Sequence, residues 1–401
     1  MSAFLYYNYY KRGKKMFIME KPYVSELLVD TILQNDWAVL DNDAVEESGI
    51  EEGAFKLWSS EKATNNYLMQ EFPLIYSNSE NAISWVLENL PKSNLSEYIR
   101  LFKDKITFRE MTKELYPDFY FQTIDYDNLK NMDCSEIKFP VVIKPSVGFL
   151  SLGVHTIWDK DAWNDTVSLV NKDMERAKTL YPENVINSSM FIIEELIKGD
   201  EYAFDVYYDR NGAPIVLNIF QHIFSDKNDV RDRLYIMSAE IMVRYMAKFT
   251  QLAAEIGKLK NVRNFPAHIE VRVTYEGKII PIEVNPMRFA GWCTTDVAKY
   301  AWGINVYECF NNQLRPDWNE ILSKAGKEIY YFAMAEVPSS VPRSEVRNFD
   351  YNGFLANFSN ILELRRIDFR THPLFAVIFG STLDKEELQR IVTLKTENYI
   401  H

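Results

Sequence analysis

The sequence predicts a mixed α/β fold of more than one domain, on three observations. Near its start the chain reads strand, helix, strand, the pattern of a small parallel sheet. The clearest helix, residues 239–259, spaces Ile241, Met242, Tyr245, Met246, Phe249, Leu252, Ala253 and Ile256 at three–four intervals. It feeds a period-2 segment from His268 to Asn285 that reads as a β-hairpin. With 401 residues, 47% of them apolar, the chain has room for two or three domains with sizeable cores.

The bulk chemistry excludes several classes. A net charge of −12 argues against a protein built to grip nucleic acid or an anionic membrane, though it leaves room for a local basic cleft that takes a polyphosphate. Cys134, Cys293 and Cys309 form neither a metal spacing nor a disulfide framework, which suits a reducing cytoplasm. Residues 1–15 are rich in Tyr and Lys and lack the apolar run of a secretory signal, so a loosely ordered arm is expected. No apolar run reaches the roughly 18 residues that a membrane span needs.

In chain order, residues 17–20 and 37–40 read as strands flanking a helix at 22–34. Residues 73–76 form another strand, and Ser79 caps a helix running to Leu90. No Gly-x-Gly-x-x-Gly follows the first strand, so a dinucleotide site there is not expected. Residues 96–115 read as one or two helices, with Lys103, Asp104 and Lys105 among apolar positions. Residues 139–144 form a strand ending in Lys144; a loop from Pro145 to Gly153 and a return strand at 154–158 follow. Glycines and serines in such a loop let backbone approach phosphates, although an ordinary hairpin loop has the same look. After a polar helix at 159–180, residues 191–197 form a buried strand, broken at Gly199-Asp-Glu201. Strands at 202–209 and 213–220 flank an Asn211-Gly212 turn. The charged run from Ser225 to Arg233 is either a solvated loop or a lid whose Arg231 or Arg233 reaches an anion.

The hairpin carries the sharpest chemistry. Ile269, Val271 and Val273, then Ile280, Ile282 and Val284, belong to a core face. His268, Glu270, Arg272, Glu283 and Asn285 share the other. A two-residue turn at Glu276-Gly277 would set Glu270 directly opposite Glu283, and His268 opposite Asn285. Facing carboxylates repel, whereas a Mg²⁺ between them, with the Asn285 oxygen, would make the arrangement favourable. A solvated hairpin face is the plainer alternative. Arg288 follows closely enough to hold a carboxylate or acyl phosphate by a bidentate fork. Residues 296–310 read as a helix, with Cys293 beside it as a packing thiol. Beyond residue 312, strands at 330–335 and 375–379 and a helix at 384–394 carry no evident chemistry.

The order Lys105, Lys144 with its loop, Glu194-Glu195-Leu196-Ile197, Glu201, Glu270, Glu283, Asn285 resembles the ATP-grasp superfamily of carboxylate–amine ligases, over roughly residues 100–310. The resemblance implies an ATP-grasp fold. An arm at 1–15 would precede an N-terminal βαβ pre-grasp domain at 16–97. The ATP-grasp domain would cover 98–311, in subdomains 98–190 and 191–311, and a small C-terminal α+β region would cover 312–401. It implies roles by position. Lys105, of the Asp104-Lys105 pair, and Lys144 would contact ATP phosphates, under a loop containing Ser146, Gly148, Ser151 and Gly153. Glu194 would face the adenine amine, the backbone of Glu195 and Ile197 would bond the ring, and Glu201 would hold the ribose. Glu270, Glu283 and Asn285 would bind Mg²⁺, or Mn²⁺; Arg288, with Arg272, would stabilise an acyl phosphate. Two departures stand out: the phosphate loop is poor in glycine, and His268 replaces an arginine that several members carry.

The implied reaction joins a small carboxylate to an amine through an acyl phosphate, releasing ADP and phosphate. A phosphotransferase of the same fold and a nucleotide-binding protein without turnover are the alternatives. Partners would be small molecules, with neither nucleic acid nor membrane; many members are dimers, so homodimerisation is implied too.

Overall fold

The computed structural model describes residues 15–48, 50–51, 53–148, 153–180, 190–226, 231–338 and 340–401. Most of the expected arm, Ser151, and the middle of the 225–233 run lie outside the described residues. The chain divides into two compact units. One comprises residues 1–91, 200–270 and 287–401; the other comprises 92–199 and 271–286. No described helix is long and apolar enough to cross a membrane.

In the first unit the N-terminal strands are β1 (Lys15–Ile18), β2 (Ala38–Leu40), β3 (Lys56–Trp58) and β4 (Leu74–Ser77). They form a parallel sheet in the order β3-β2-β1-β4, as the strand–helix–strand start predicts. The Ser25 side chain caps helix Glu26–Gln34 by accepting from Leu28 N, and the helix buries Leu28, Thr31 and Ile32. Phe17 stacks on Trp37 at 5.3 Å. Ser79 caps a 3₁₀ turn, Glu80–Ala82, that leads into helix Ile83–Asn89. Within this sheet β3 is the strand that pattern reading misses, because it has only three residues and one buried side chain.

The second unit carries β5 (Phe121–Asp125), β6 (Val141–Pro145), β7 (His155–Ile157) and β8 (Met190–Glu195), antiparallel in the order β5-β8-β6-β7. Helix Trp163–Leu180 covers one face, where Trp163, Val167, Val170 and Met174 pack on Val141, Ile143, Phe191 and Ile193. The expected helical stretch around residue 100 is two helices, Asn94–Lys103 and Lys105–Thr112. Asp104 separates them: extended itself, it caps the second by accepting from Ile106 N and Thr107 N.

The remaining strands are β9 (Gly199–Tyr208), β10 (Pro214–His222), β11 (Leu234–Met237), β12 (Phe265–Thr274), β13 (Ile279–Pro286), β14 (Ile329–Glu336), β15 (Ile361–Arg366) and β16 (Leu374–Thr382). In the first unit they order as β12-β9-β10-β11-β14-β16-β15. The C-terminal strands thus extend the main sheet. Gly199 starts β9 rather than breaking the chain: at φ +144 it passes so close to the Val273 carbonyl that a Cβ would lie 2.1 Å from its oxygen. The helix expected at 296–310 is split into Val297–Trp302 and Val306–Asn312. Gly303, left-handed at φ 67, ends the first, and Asn305 caps the second.

The hairpin turn at Asn211-Gly212 fills the three residues left between the expected strands, whereas the turn at Glu276-Gly277 differs from the expected two-residue form. Asp209 N bonds Ala213 O, and Gly212 N bonds Asp209 O with Gly212 at φ 81. Thr274, Lys278 and Gly277 (φ 83) repeat that pattern. Each loop therefore has three residues, with its glycine in a left-handed bulge. Register at the second turn starts with Thr274 opposite Lys278, so the direct opposition of Glu270 and Glu283 does not follow from the turn.

Helix Ala239–Leu259 covers the main sheet along its predicted face. At Gly257 alanine would ordinarily favour the helix by about 1 kcal/mol. Here a Cβ would lie 2.4 Å from Tyr208 Cε1. That ring is fully buried and its hydroxyl donates to Ala253 O at 2.9 Å, so it cannot yield cheaply. Gly257→Ala is expected to destabilise by about 1–3 kcal/mol. The measurement is the urea midpoint, and a gain in stability would show that the ring moves freely.

Candidate active site

In the second unit, strand register brings Lys144 to Glu194. Val142 lies opposite Glu194 and Lys144 opposite Ile192, so Lys144 and Glu194 are diagonal neighbours on the face away from the core. Lys144 Nζ is 2.8 Å from Glu194 Oε2. Arg109, on helix Lys105–Thr112, closes the other side: Nε donates to Oε1 at 2.7 Å and Nη2 to Oε2 at 3.2 Å. Its Nη1 donates to the Pro281 carbonyl at 2.6 Å. All three side chains are buried.

Burial by itself would raise the Glu194 pKa, but Lys144 and Arg109 outweigh it and hold the carboxyl at about 2. Burial pushes the Lys144 ammonium down, against the pull of Glu194. Arg109 is the residue that sequence reasoning missed. A signal existed, since Lys105, Arg109 and Thr112 share a helix face at three–four spacing.

A second pair lies in the same unit. Lys105 Nζ is 3.0 Å from Glu283 Oε2, and Asn285 Nδ2 lies 3.4 Å from Glu283 Oε1. Partial burial would raise the Glu283 pKa, yet Lys105 and Lys103 bring it to about 2. The phosphate-loop candidates sit beside this pair: Lys105 N donates to Ser146 O at 2.8 Å, and Lys103 Nζ to Gly148 O at 3.3 Å. Gly153, left-handed at φ 72, packs on Pro145 and Met174. Lys103, Lys105, Arg109 and Lys144 thus outnumber Glu194 and Glu283 by two charges. This local excess runs against the sign of the whole chain. At the end of β8, Glu195 N donates to Tyr120 O at 3.0 Å and Leu196 N to Pro140 O at 3.1 Å. Arg272 Nη1 donates to Ile197 O at 3.3 Å, which places Arg272 beside the strand exit.

Glu201, Glu270 and Arg288 belong to the first unit. Glu201 Oε1 is 3.1 Å from His222 Nδ1, and Tyr235 stacks on that ring at 4.2 Å. Burial, then Asp232, Glu270 and Glu201, push the Tyr235 hydroxyl well above its ordinary range. His268 turns to Asp205, with Nδ1 2.8 Å from Oδ1. Asp205 also accepts from Ala290 N at 2.8 Å, Asn218 Nδ2 at 3.0 Å and Thr295 Oγ1 at 2.6 Å. Arg288 Nη2 donates to Glu80 Oε1 at 2.7 Å, a partner the sequence did not suggest. Of the two lid arginines considered, Arg233 donates to Val392 O at 3.3 Å. Burial, then Asp296, push the Cys293 thiol up to about 11, consistent with a packing thiol.

The Glu194 shift fixes an expected pH dependence. A carboxyl lowered from 4.5 to about 2 on folding stabilises fully above about pH 5 and loses that contribution as pH falls through 2. Relative to pH 7, the stability gap between the native chain and Glu194→Gln should shrink by about 1 kcal/mol at pH 4 and about 2 kcal/mol at pH 3. Urea unfolding at the three pH values tests this; a gap independent of pH would contradict the ion-pair account.

Residues 137–296 match the family model of the ATP-grasp domain. No curated protein matches the chain by sequence. Among solved structures, an L-amino acid ligase from Bacillus licheniformis superposes with a TM-score of 0.67 at 15% identity, over 98% of each chain. N5-carboxyaminoimidazole ribonucleotide synthetase from Thermotoga maritima gives 0.63 at 15% identity, over 96% of this chain and 98% of its own. The biotin carboxylase domain of 2-oxoglutarate carboxylase from Hydrogenobacter thermophilus, a dimer in complex with MgADP and bicarbonate, gives 0.62 at 12% identity, over 92% and 86%. Residues 137–296 thus match an ATP-grasp domain, and the chain as a whole shares the fold of these solved proteins.

Proposed function

We propose that the protein is an ATP-dependent carboxylate–amine ligase, forming an amide or peptide bond through an acyl phosphate and releasing ADP and phosphate. The observation that carries the proposal is the group of four cations around Glu194 and Glu283, a local positive excess suited to a polyphosphate. Lys105 and Lys144 would neutralise charge on the transferring phosphoryl group. Since the Glu195 and Leu196 amides are bonded within the unit, a purine at this edge would meet the Ile197 N–H. Glu201 would hold the ribose, oriented by His222.

Among the described residues no group of three His, Cys, Asp or Glu side chains stands ready for a metal. Mg²⁺ needs no such group here, because it is commonly held by one or two carboxylates, with phosphate oxygens and water completing the shell. Glu283 and Asn285 are suitable oxygen donors, and Glu283 already accepts a cation, the Lys105 ammonium. Glu270 is the further ligand we propose. The metal would supply Lewis-acid neutralisation of the phosphates.

The carboxylate oxygen of one substrate would attack the γ-phosphorus as the bond to the β-bridging oxygen breaks, and ADP would leave. The amine nitrogen of the second substrate would then attack the acyl carbon. Phosphate would depart, and the amine would lose its proton. Arg288 would hold the carboxylate and then the acyl phosphate; Arg272, beside Ile197, would serve at the nucleotide end. A reducing cytoplasm would suit the three buried free thiols.

With Mg-ATP and pooled amino acids, small acids and amines, ADP and phosphate should appear only when one acid and one amine are both present. ADP with a single acceptor would indicate a phosphotransferase, and AMP would rule out the acyl phosphate. Once substrates are found, Glu283→Gln should lower kcat by at least about a hundredfold while the thermal midpoint stays within a few degrees. Undiminished turnover in that variant would remove Glu283 from the metal site.

A further inference from the structure

The C-terminal stretch, where sequence reading finds no chemistry, sends one charged side chain into the loop that carries Arg288. Arg365 lies on β15 and is 4% exposed. Its guanidinium faces the turn Gly291–Asp296, just downstream of Arg288. Nη1 donates to the carbonyls of Trp292 at 3.2 Å and Cys293 at 3.0 Å. Nη2 donates to Asp296 Oδ2 at 2.8 Å, and Nε to Glu363 Oε1 at 2.6 Å. Phe379 and Tyr23 lie over it, 4.3 Å and 5.2 Å from Cζ to the ring centroids.

The turn needs such a partner. Trp292 (φ 56) and Cys293 (φ 53) are consecutive left-handed residues, and neither is glycine. Left-handed backbone is unfavourable for side chains bearing a Cβ, so two in succession persist only where the surroundings hold them. Arg365 collects the carbonyl of each on one nitrogen. A lysine there could keep the charge against Asp296 and Glu363, but not the planar fork that meets two carbonyls and two carboxylates together. The turn in turn meets Arg288: a Cβ built on Gly291 would lie 3.6 Å from Arg288 Nη1 and 3.9 Å from its Cζ.

We infer that Arg365 is a positioning residue: it holds the 291–296 turn in its left-handed course and, through Gly291, sets the Arg288 guanidinium for the acid substrate. The second half rests on the role proposed for Arg288; the first does not.

Hydrogen–deuterium exchange on the full chain tests the first half. In Arg365→Lys, exchange in peptides spanning 288–297 should rise at least about tenfold, while the other segments of the sheet keep their protection. No change there, or a uniform rise through the whole unit, overturns the inference. Should Arg365→Lys not fold, Glu363→Gln, which removes the carboxylate orienting Nε, should raise exchange in the same peptides about threefold; no rise overturns it equally.

The second half is read in ADP release with Mg-ATP and the twenty amino acids as acids and amines. For the acid that supports turnover, Arg365→Lys should raise KM about tenfold while KM for ATP stays within about twofold. A drop in kcat with both KM values unchanged would overturn the link to Arg288. Arg288→Gln, assayed alongside, separates the two ideas. If that variant leaves the KM of the acid unchanged, the reading of Arg288 fails, and exchange alone decides whether Arg365 holds the turn.

Discussion

Glu194 is a carboxylate almost wholly withdrawn from water, and the second unit is arranged around keeping it charged. An ionised group at that depth is tolerated only with opposite charge and hydrogen bonds on its oxygens. Lys144 comes from the neighbouring strand, through register. Arg109 comes from a helix, and its remaining nitrogen is spent on the carbonyl of Pro281. One carboxylate therefore ties β8, β6, helix Lys105–Thr112 and β13 together. The same helix begins at Lys105, whose amide fixes Ser146 and whose ammonium meets Glu283. The same contacts gather Lys103, Lys105, Arg109 and Lys144 around only two glutamates, Glu194 and Glu283.

The first unit solves a different problem: an irregular loop between β13 and helix Val297–Trp302 must keep one shape. Asp205, with no exposed surface, holds it near the start, taking the Ala290 amide and the Thr295 hydroxyl along with His268 and Asn218. Arg365 holds it near the end. Met287 at φ 66, Trp292 and Cys293 are three left-handed residues in this short span. At roughly 1–3 kcal/mol of strain each, such a path forms only when buried charged groups fix it from both sides. Glu80, from the N-terminal segment, completes the arrangement by holding the Arg288 guanidinium.

Much of this was legible from the chain. The parallel N-terminal sheet, the 239–259 helix, the paired strands around Lys144 and the hairpin all announce themselves by periodicity, which registers whether a side chain faces core or water. Lys144 and Glu283 stood out because each sits at a fixed place on a patterned strand, and Glu194 through the motif order that resembles the ATP-grasp superfamily. Arg109 did not, since an arginine on a polar helix is ordinarily solvated. Glu80 and Arg365 did not either, because their partners lie 208 and 69–73 residues away along the chain. The two-residue turn at Glu276-Gly277 failed for a local reason: Glu-Gly suits both a tight turn and a three-residue loop with a glycine bulge, and composition does not separate them.

The sequence by itself determined most of the strands and helices, the faces they bury, and a set of lysines and glutamates whose order resembles that of the ATP-grasp superfamily. These are consequences of local spacing, which every copy of the chain carries whether folded or not. Only the tertiary structure decided which charges meet. Lys144 and Arg109 converge on Glu194, Lys105 finds Glu283, and Arg365 closes on two backbone carbonyls. Pairing of buried charges depends on distances across sheets and between distant segments, and those distances exist only after the chain has packed.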